Sequence, residues 1–239
     1  MMLESTGLSA AAESYFSLLL AVILFVIQRV LVSLYIRKRR TDGHYRKGVD
    51  SVRRALFRRW VGVLLLGVVP ILVSLTFFSR RLSEQGLVPT LGSGTWLWLG
   101  IALVTIVPAI FISSRSSGIL ERYPEIRKNT WDRRLLLSSA LSWVVYLWAY
   151  EYFMRGFVLF ACIRAWGLWP AVLINVVLYA LVHIDQGAYE VLGAVPLGFF
   201  FCAMTLSTGA VWAAFFAHVV LAFANEWITL ARNPEMKIV

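Results

Sequence analysis

Residues 140–163 read ALSWVVYLWAYEYFMRGFVLFACI, an apolar and aromatic run that holds one carboxylate, Glu151, and one guanidinium, Arg155. A segment of that length reads as a membrane-spanning helix. The hydrocarbon core is about 30 Å thick and takes about 20 apolar residues at 1.5 Å each. The helical period sets the two charges four residues apart on one face, with the acid on the N-terminal side, the favourable order for a pair. Either charge alone at mid-bilayer costs at least about 2.5–3.5 kcal/mol, so the pair must face protein or water. It reads either as a buried ion pair that fixes helix packing or as part of a site. Intramembrane ionisable groups favour the second.

Six further apolar runs lie outward from this one, at approximately 14–36, 60–79, 95–113, 168–184, 190–206 and 210–230. With 59% hydrophobic residues, 15% charged ones and a mean hydropathy of +0.73, the chain falls well below the charge of a soluble domain, about a quarter. The expected fold is all-α: a polytopic transmembrane helix bundle of about seven spans, forming a single integral membrane domain over 1–239. The residues before the first run include Glu4 and Glu13 and no Lys or Arg. A secretory signal wants a basic start, so this run is read as a retained helix.

The net charge of +10 is compatible with nucleic-acid binding, but its distribution argues against that class. Ten basic residues lie between Arg37 and Arg59, six more between spans three and four, and Arg232 and Lys237 in the tail. The alternate loops hold Arg80, Arg81 and Arg164. By the positive-inside rule the N-terminus is outside and the C-terminus cytoplasmic. The same basicity suits a bilayer with anionic headgroups as partner, and no nucleic acid. The 37–59 segment is expected as an interfacial loop or short amphipathic helix, and 80–94 as a solvent-exposed connection. Cys162 and Cys202 stand alone in apolar runs and read as packing residues.

Spans four to seven carry the groups that are costly in lipid. His183 closes span five, and His218 lies in span seven with Asn225 about two turns further along the same face. Counting 1.5 Å per residue from the cytoplasmic side puts Glu151 about 12 Å deep, His183 about 5–10 Å and His218 about 18 Å, so one cavity can collect all three. Their tips are expected within about 8 Å of one another. Asn225 is expected to point into the same space. Arg29 reads as a snorkelling residue, and Asp185, Glu190 and Glu226 as helix-end or interfacial acids. Gly193, Gly198 and Gly209 read as close helix contacts. His44, in the basic loop, has no such context.

Three stretches together resemble the CAAX-processing and bacteriocin-immunity type of intramembrane metalloprotease, the CPBP or ABI family. Glu151 to Gly156 is similar to its Glu-Glu-x-x-x-Arg helix, Tyr179 to His183 to its aromatic-x-x-x-His segment, and Ser207 to His218 to the approach to its final His. The resemblance covers roughly 143–225, the family-like catalytic core, and departs at two positions. Tyr150 stands where the family has a first Glu, and Ala222 where it often has Asn or Asp four residues after the last His, with Asn225 one turn on.

The resemblance implies an endoprotease acting on a membrane-associated protein or peptide, of CAAX-tail or C-terminal sorting-signal type. It assigns the catalytic work to Glu151, Arg155, His183, His218 and Asn225. His183 and His218 are the candidate metal ligands, for Zn2+ or another divalent ion. Two roles fit Glu151: third ligand of a His2Glu zinc set with water in the fourth position, or general base, favoured because Arg155 competes with a metal for the same carboxylate. A catalytically silent immunity or regulatory member is the alternative function, and a small transporter a third. The expected location is a prokaryotic cytoplasmic membrane or an endomembrane.

Overall fold

The computed structural model describes residues 8–42, 45–89, 91–115 and 117–239. Glu4 and His44 lie outside the described residues. Eight helices account for most of the rest. They are α1 (Ala10–Thr41), α2 (47–76), α3 (Ser93–Ser113), α4 (Ser117–Arg122), α5 (133–166), α6 (Leu168–Val182), α7 (Ala188–Thr208) and α8 (212–232). A two-residue parallel ladder, β1 (Thr130–Trp131) with β2 (Lys237–Ile238), ties the C-terminal tail to the loop before α5. Among the described residues, five helices are long and apolar enough to cross a membrane: α1, α2, α3, α7 and α8. The other two expected spans fall short for separate reasons. Helix α5 is long but carries the polar groups of the site, and α6 has only 15 residues.

The surface is that of an integral membrane protein. Leu19, Val26, Leu34, Val104 and Ile112 are exposed, while Glu13, Arg59, Glu151, Arg155 and Asn175 are buried. In lipid, apolar side chains gain nothing by turning inward, and ionisable ones must. Helix α5 occupies the centre, packed by α1, α2, α6 and α8. It starts on Asp132, whose side chain accepts from the Leu135 N–H at 2.8 Å, an N-cap that satisfies one otherwise free donor.

Helices α2, α5 and α8 each contain a π turn, at Leu64–Val68, Tyr152–Val158 and Ala224–Ile228. Such turns release backbone groups from the regular ladder and gather at functional sites. In α5 the Asn175 amide, from α6, donates to the Met154 carbonyl at 2.6 Å. The 80–94 connection is not simply solvent-exposed as expected. Its 3-10 turn, Leu82–Gln85, buries Gln85, which accepts from the Tyr152 hydroxyl at 2.7 Å. Gly156 permits this approach, since a Cβ there would stand 2.7 Å from the Gln85 carbonyl.

Several interfacial expectations change. The 37–59 segment holds the end of α1 and the first turns of α2, a helix continuous into the next span. Glu13 is buried and bridges Arg80 and Arg164, each at 3.0 Å, fastening the start of α1 to the end of α5. Glu226 is not an interfacial acid: the π turn carries it inward, where it is 1% exposed and accepts from the Glu125 N–H at 3.1 Å. Gly198 meets Val176 and Tyr179 closely, as expected of a helix contact. Gly193 meets nothing, and Gly209 instead ends α7 with φ +65°, a left-handed conformation that glycine adopts without a Cβ clash.

Candidate active site

Glu151 is the last α-helical residue of α5 before its π turn, and Arg155 lies inside that turn. Both are completely buried, with Arg155 Nε 3.3 Å from Glu151 Oε2. From α8, His218 places Nδ1 2.5 Å from Glu151 Oε1. The carboxylate is therefore held from two sides by side chains of two helices. The Arg155 guanidinium also sits over the Tyr179 ring, 4.6 Å from its centroid, and beside Phe201 at 5.2 Å. Phe201 in turn stacks on His218 at 5.1 Å. Cation–π contact on two faces stabilises the guanidinium without using its N–H donors.

His183 follows α6 as its C-cap rather than lying within the span. Its Nδ1 is 2.7 Å from the Tyr179 carbonyl, and its ring packs on Tyr179 at 4.6 Å, while Tyr179 reaches His218 at 6.2 Å. The structure thus joins Glu151, Arg155 and His218 directly, and His183 to them through the Tyr179 ring. The Asn225 side chain is nearly buried in the π turn of α8 and makes no hydrogen bond among the described residues. Phe153 and Met154, flanking the pair, face neighbouring helices and are fully buried.

The two histidines share a tautomer. Backbone carbonyls and carboxylates only accept, so the Nδ1 of His183 donates to Tyr179 and that of His218 donates to Glu151. Each neutral ring then keeps its Nε2 lone pair, and neither Nε2 is hydrogen-bonded among the described residues. Such an Nε2 can take a proton or bind a metal. Catalytic zinc sites use three protein ligands. Among the described residues no three His, Cys, Asp or Glu side chains are grouped to hold a metal ion. His183 and His218 supply two donors, while Glu151 is engaged by His218 and Arg155. His183 and His218 would be the residues to hold such an ion, and the chemistry of this chain's own side chains is that of Glu151, Arg155 and His218.

Several buried polar atoms have no hydrogen-bond partner among the described residues: Tyr150 Oη, Arg155 Nη1 and Nη2, and Thr205 Oγ1. Tyr150, where the resembled motif has its first Glu, sets its ring edge-on to His218 at 5.6 Å.

Sequence reasoning missed a second charged cluster beside α5. Arg58 and Arg59 of α2 both bond Glu125, at 2.8 and 2.9 Å, and Arg59 reaches Glu226 at 3.7 Å. Burial pushes the Glu125 carboxyl upward, but the two guanidiniums outweigh it and hold it down at about 2. Burial pushes the neighbouring Tyr123 hydroxyl up. Glu125 stands in a polar loop and gives no periodic signal. Asn175 did give one, a lone amide in an apolar run.

Comparison with curated proteins and with solved structures gives no match. Residues 132–224 match the Rce1-like family model, described as type II CAAX prenyl endopeptidase Rce1-like, and this segment, which holds Glu151, Arg155, His183 and His218 and ends one residue before Asn225, is similar to CAAX proteases.

Proposed function

We propose that the chain is an intramembrane endopeptidase that cuts a membrane-associated protein or peptide, of CAAX-tail or C-terminal sorting-signal type. The carrying observation is the buried contact of His218 with Glu151, 2.5 Å, backed by Arg155. That arrangement moves the base role from Glu151 to His218. Nε2 of His218 takes a proton from water, and the resulting hydroxide attacks the scissile carbonyl carbon. Glu151 holds the ring in its tautomer and stabilises the imidazolium. The proton then passes to the leaving amine as the C–N bond breaks, which returns His218 to neutral. Arg155 keeps Glu151 in place. The buried, unpaired Tyr150 hydroxyl and Arg155 Nη groups are donors suited to a developing oxyanion.

The experiment is cleavage of lipidated and unlipidated C-terminal peptides by the full chain in proteoliposomes. Glu151→Gln and His218→Ala should each lower kcat about 10²–10⁴-fold, the range for removing general acid–base catalysis. Metal content, measured on the same samples, decides the competing route. Stoichiometric zinc that is lost in His183→Ala and His218→Ala would replace the general-base mechanism. Folded wild-type protein that cleaves none of the peptides would favour a silent immunity or regulatory role. Tyr150 and Ala222, which depart from the resembled motif, support that second reading.

The seven-span arrangement with an external N-terminus and a cytoplasmic C-terminus belongs to the same proposal. It is supported by the 18 to 3 division of loop and tail basic residues. A C-terminal reporter should signal cytoplasm, and an external signal would overturn the orientation.

A further inference from the structure

Arg29, in the middle of α1, reaches the C-terminal end of α6. Its Nη2 donates to the Val182 carbonyl at 3.0 Å and its Nε lies 3.2 Å from Asp185 Oδ2. Val182 is the last residue of α6, and its carbonyl is one of the four that a helix end leaves without an intrahelical partner. A cation there also meets the negative end of the helix dipole. The contacts fall on either side of His183, which is the C-cap itself and leads into the 3-10 turn Ile184–Gln186. Arg122, at the end of α4, holds the far side of the turn: its Nη1 is 3.3 Å from Glu190, and a Cβ on Gly187 would come within 3.0 Å of its Nη2. Both arginines lie outside residues 132–224, whereas the turn they grip lies inside.

We propose that Arg29 is a positioning residue for His183. By capping α6 and holding Asp185, it fixes the turn and, through the Tyr179 carbonyl bond, the direction of the His183 ring. Arg122 supports the same turn from the other side. The catalytic part of this proposal rests on the proteolytic reading above; the structural part does not.

The test uses the full chain in lipid nanodiscs, with hydrogen exchange over residues 183–190 measured beside peptide cleavage. In Arg29→Leu, exchange of this segment should rise about three- to tenfold, as expected when a half-exposed ion pair and a charge-assisted hydrogen bond are lost. The kcat should fall by a similar factor, with KM changed by less than about twofold, because ring placement is altered and substrate contacts are not. Asp185→Asn, at an exposed position, should show the same pattern at about two- to threefold. Arg29→Lys should recover part of both effects.

Unchanged exchange over 183–190 in Arg29→Leu would overturn the proposal whatever the activity. Faster exchange with unchanged kcat would overturn the catalytic part. A wild type that cleaves no peptide would defeat the proteolytic reading instead, leaving exchange alone to decide whether Arg29 holds the turn.

Discussion

Arg59 and Arg155 are both completely buried beside carboxylates, yet they are satisfied in opposite ways. Nη1 of Arg59 donates to the Ser139 carbonyl and to the hydroxyls of Ser139 and Ser142 at 3.0–3.2 Å, and its Nη2 donates to Glu125. Its plane lies on the Trp143 ring at 3.9 Å. Arg155 has a carboxylate neighbour and two aromatic rings, but none of its three nitrogens makes a well-aligned hydrogen bond among the described residues. A buried donor without a partner costs about 1–3 kcal/mol, so the number of such donors separates one cluster from the other. The two clusters therefore differ in kind. The one around Arg59 spreads its two Nη groups over several acceptors and acts as scaffold, joining α2, α5, α8 and the loop at Glu125, although Arg59 Nε and Glu226 Oε2 have no hydrogen-bond partner among the described residues. The one around Arg155 holds its guanidinium through one carboxylate and two aromatic rings.

The comparison is broken most directly by removing each arginine. Arg59→Leu should cost about 3–5 kcal/mol of stability, the usual loss when one partner of a buried pair is removed. It leaves Glu226 without its guanidinium neighbour, and thermal unfolding in detergent measures the loss. Arg155→Leu should cost clearly less stability, since His218 remains to hold Glu151, while lowering cleavage about a hundredfold or more. Equal stability losses for the two would erase the distinction. A double-mutant cycle sharpens the second case. If Arg155 acts by holding Glu151, the effects of Arg155→Leu and Glu151→Gln on kcat should be strongly non-additive, and fully additive losses would mean the two act separately.

The pH dependence of the scaffold is a smaller effect. Glu125, held at about 2 in the folded protein against an ordinary carboxylate value of 4.5, binds fewer protons folded than unfolded through this interval. Its contribution is thus fully present above pH 4.5 and lost as pH falls through about 2. The difference in melting temperature between wild type and Glu125→Gln should be constant above pH 5 and shrink below pH 4. A difference unchanged down to pH 3 would show that Glu125 is not held by its arginines. The smallest expected effect is that of Tyr150→Phe. Loss of the unpaired hydroxyl should lower kcat about tenfold, by removal of one donor to the oxyanion, and leave melting unchanged or raised. Unchanged kcat would remove Tyr150 from the site.

Much of the arrangement was legible before any coordinates. The apolar runs announced a helical membrane bundle because charge in lipid is costly, and the i,i+4 spacing announced the contact between Glu151 and Arg155. The spans predicted at 140–163 and 168–184 were misjudged in detail. Their helices run over 133–166 and Leu168–Val182, leaving His183 in the turn. No local pattern marks a π turn, whose Met154 carbonyl accepts from the Leu159 N–H within the turn and also from Asn175 of the next helix.

Composition and period by themselves determined that this chain folds as membrane helices, with Glu151 and Arg155 together on one helix face and buried. Tertiary structure alone decided which partner each of these takes. The pairing of His218 with Glu151, the grip of Arg29 on the turn after Val182, and the burial of Glu226 with Arg59 span 67 to 167 residues of sequence. A sequence pattern reports only neighbours within a turn or two of helix. Distant charges choose their partners by the geometry that packing leaves between helices, and by the cost of any polar group that packing leaves alone.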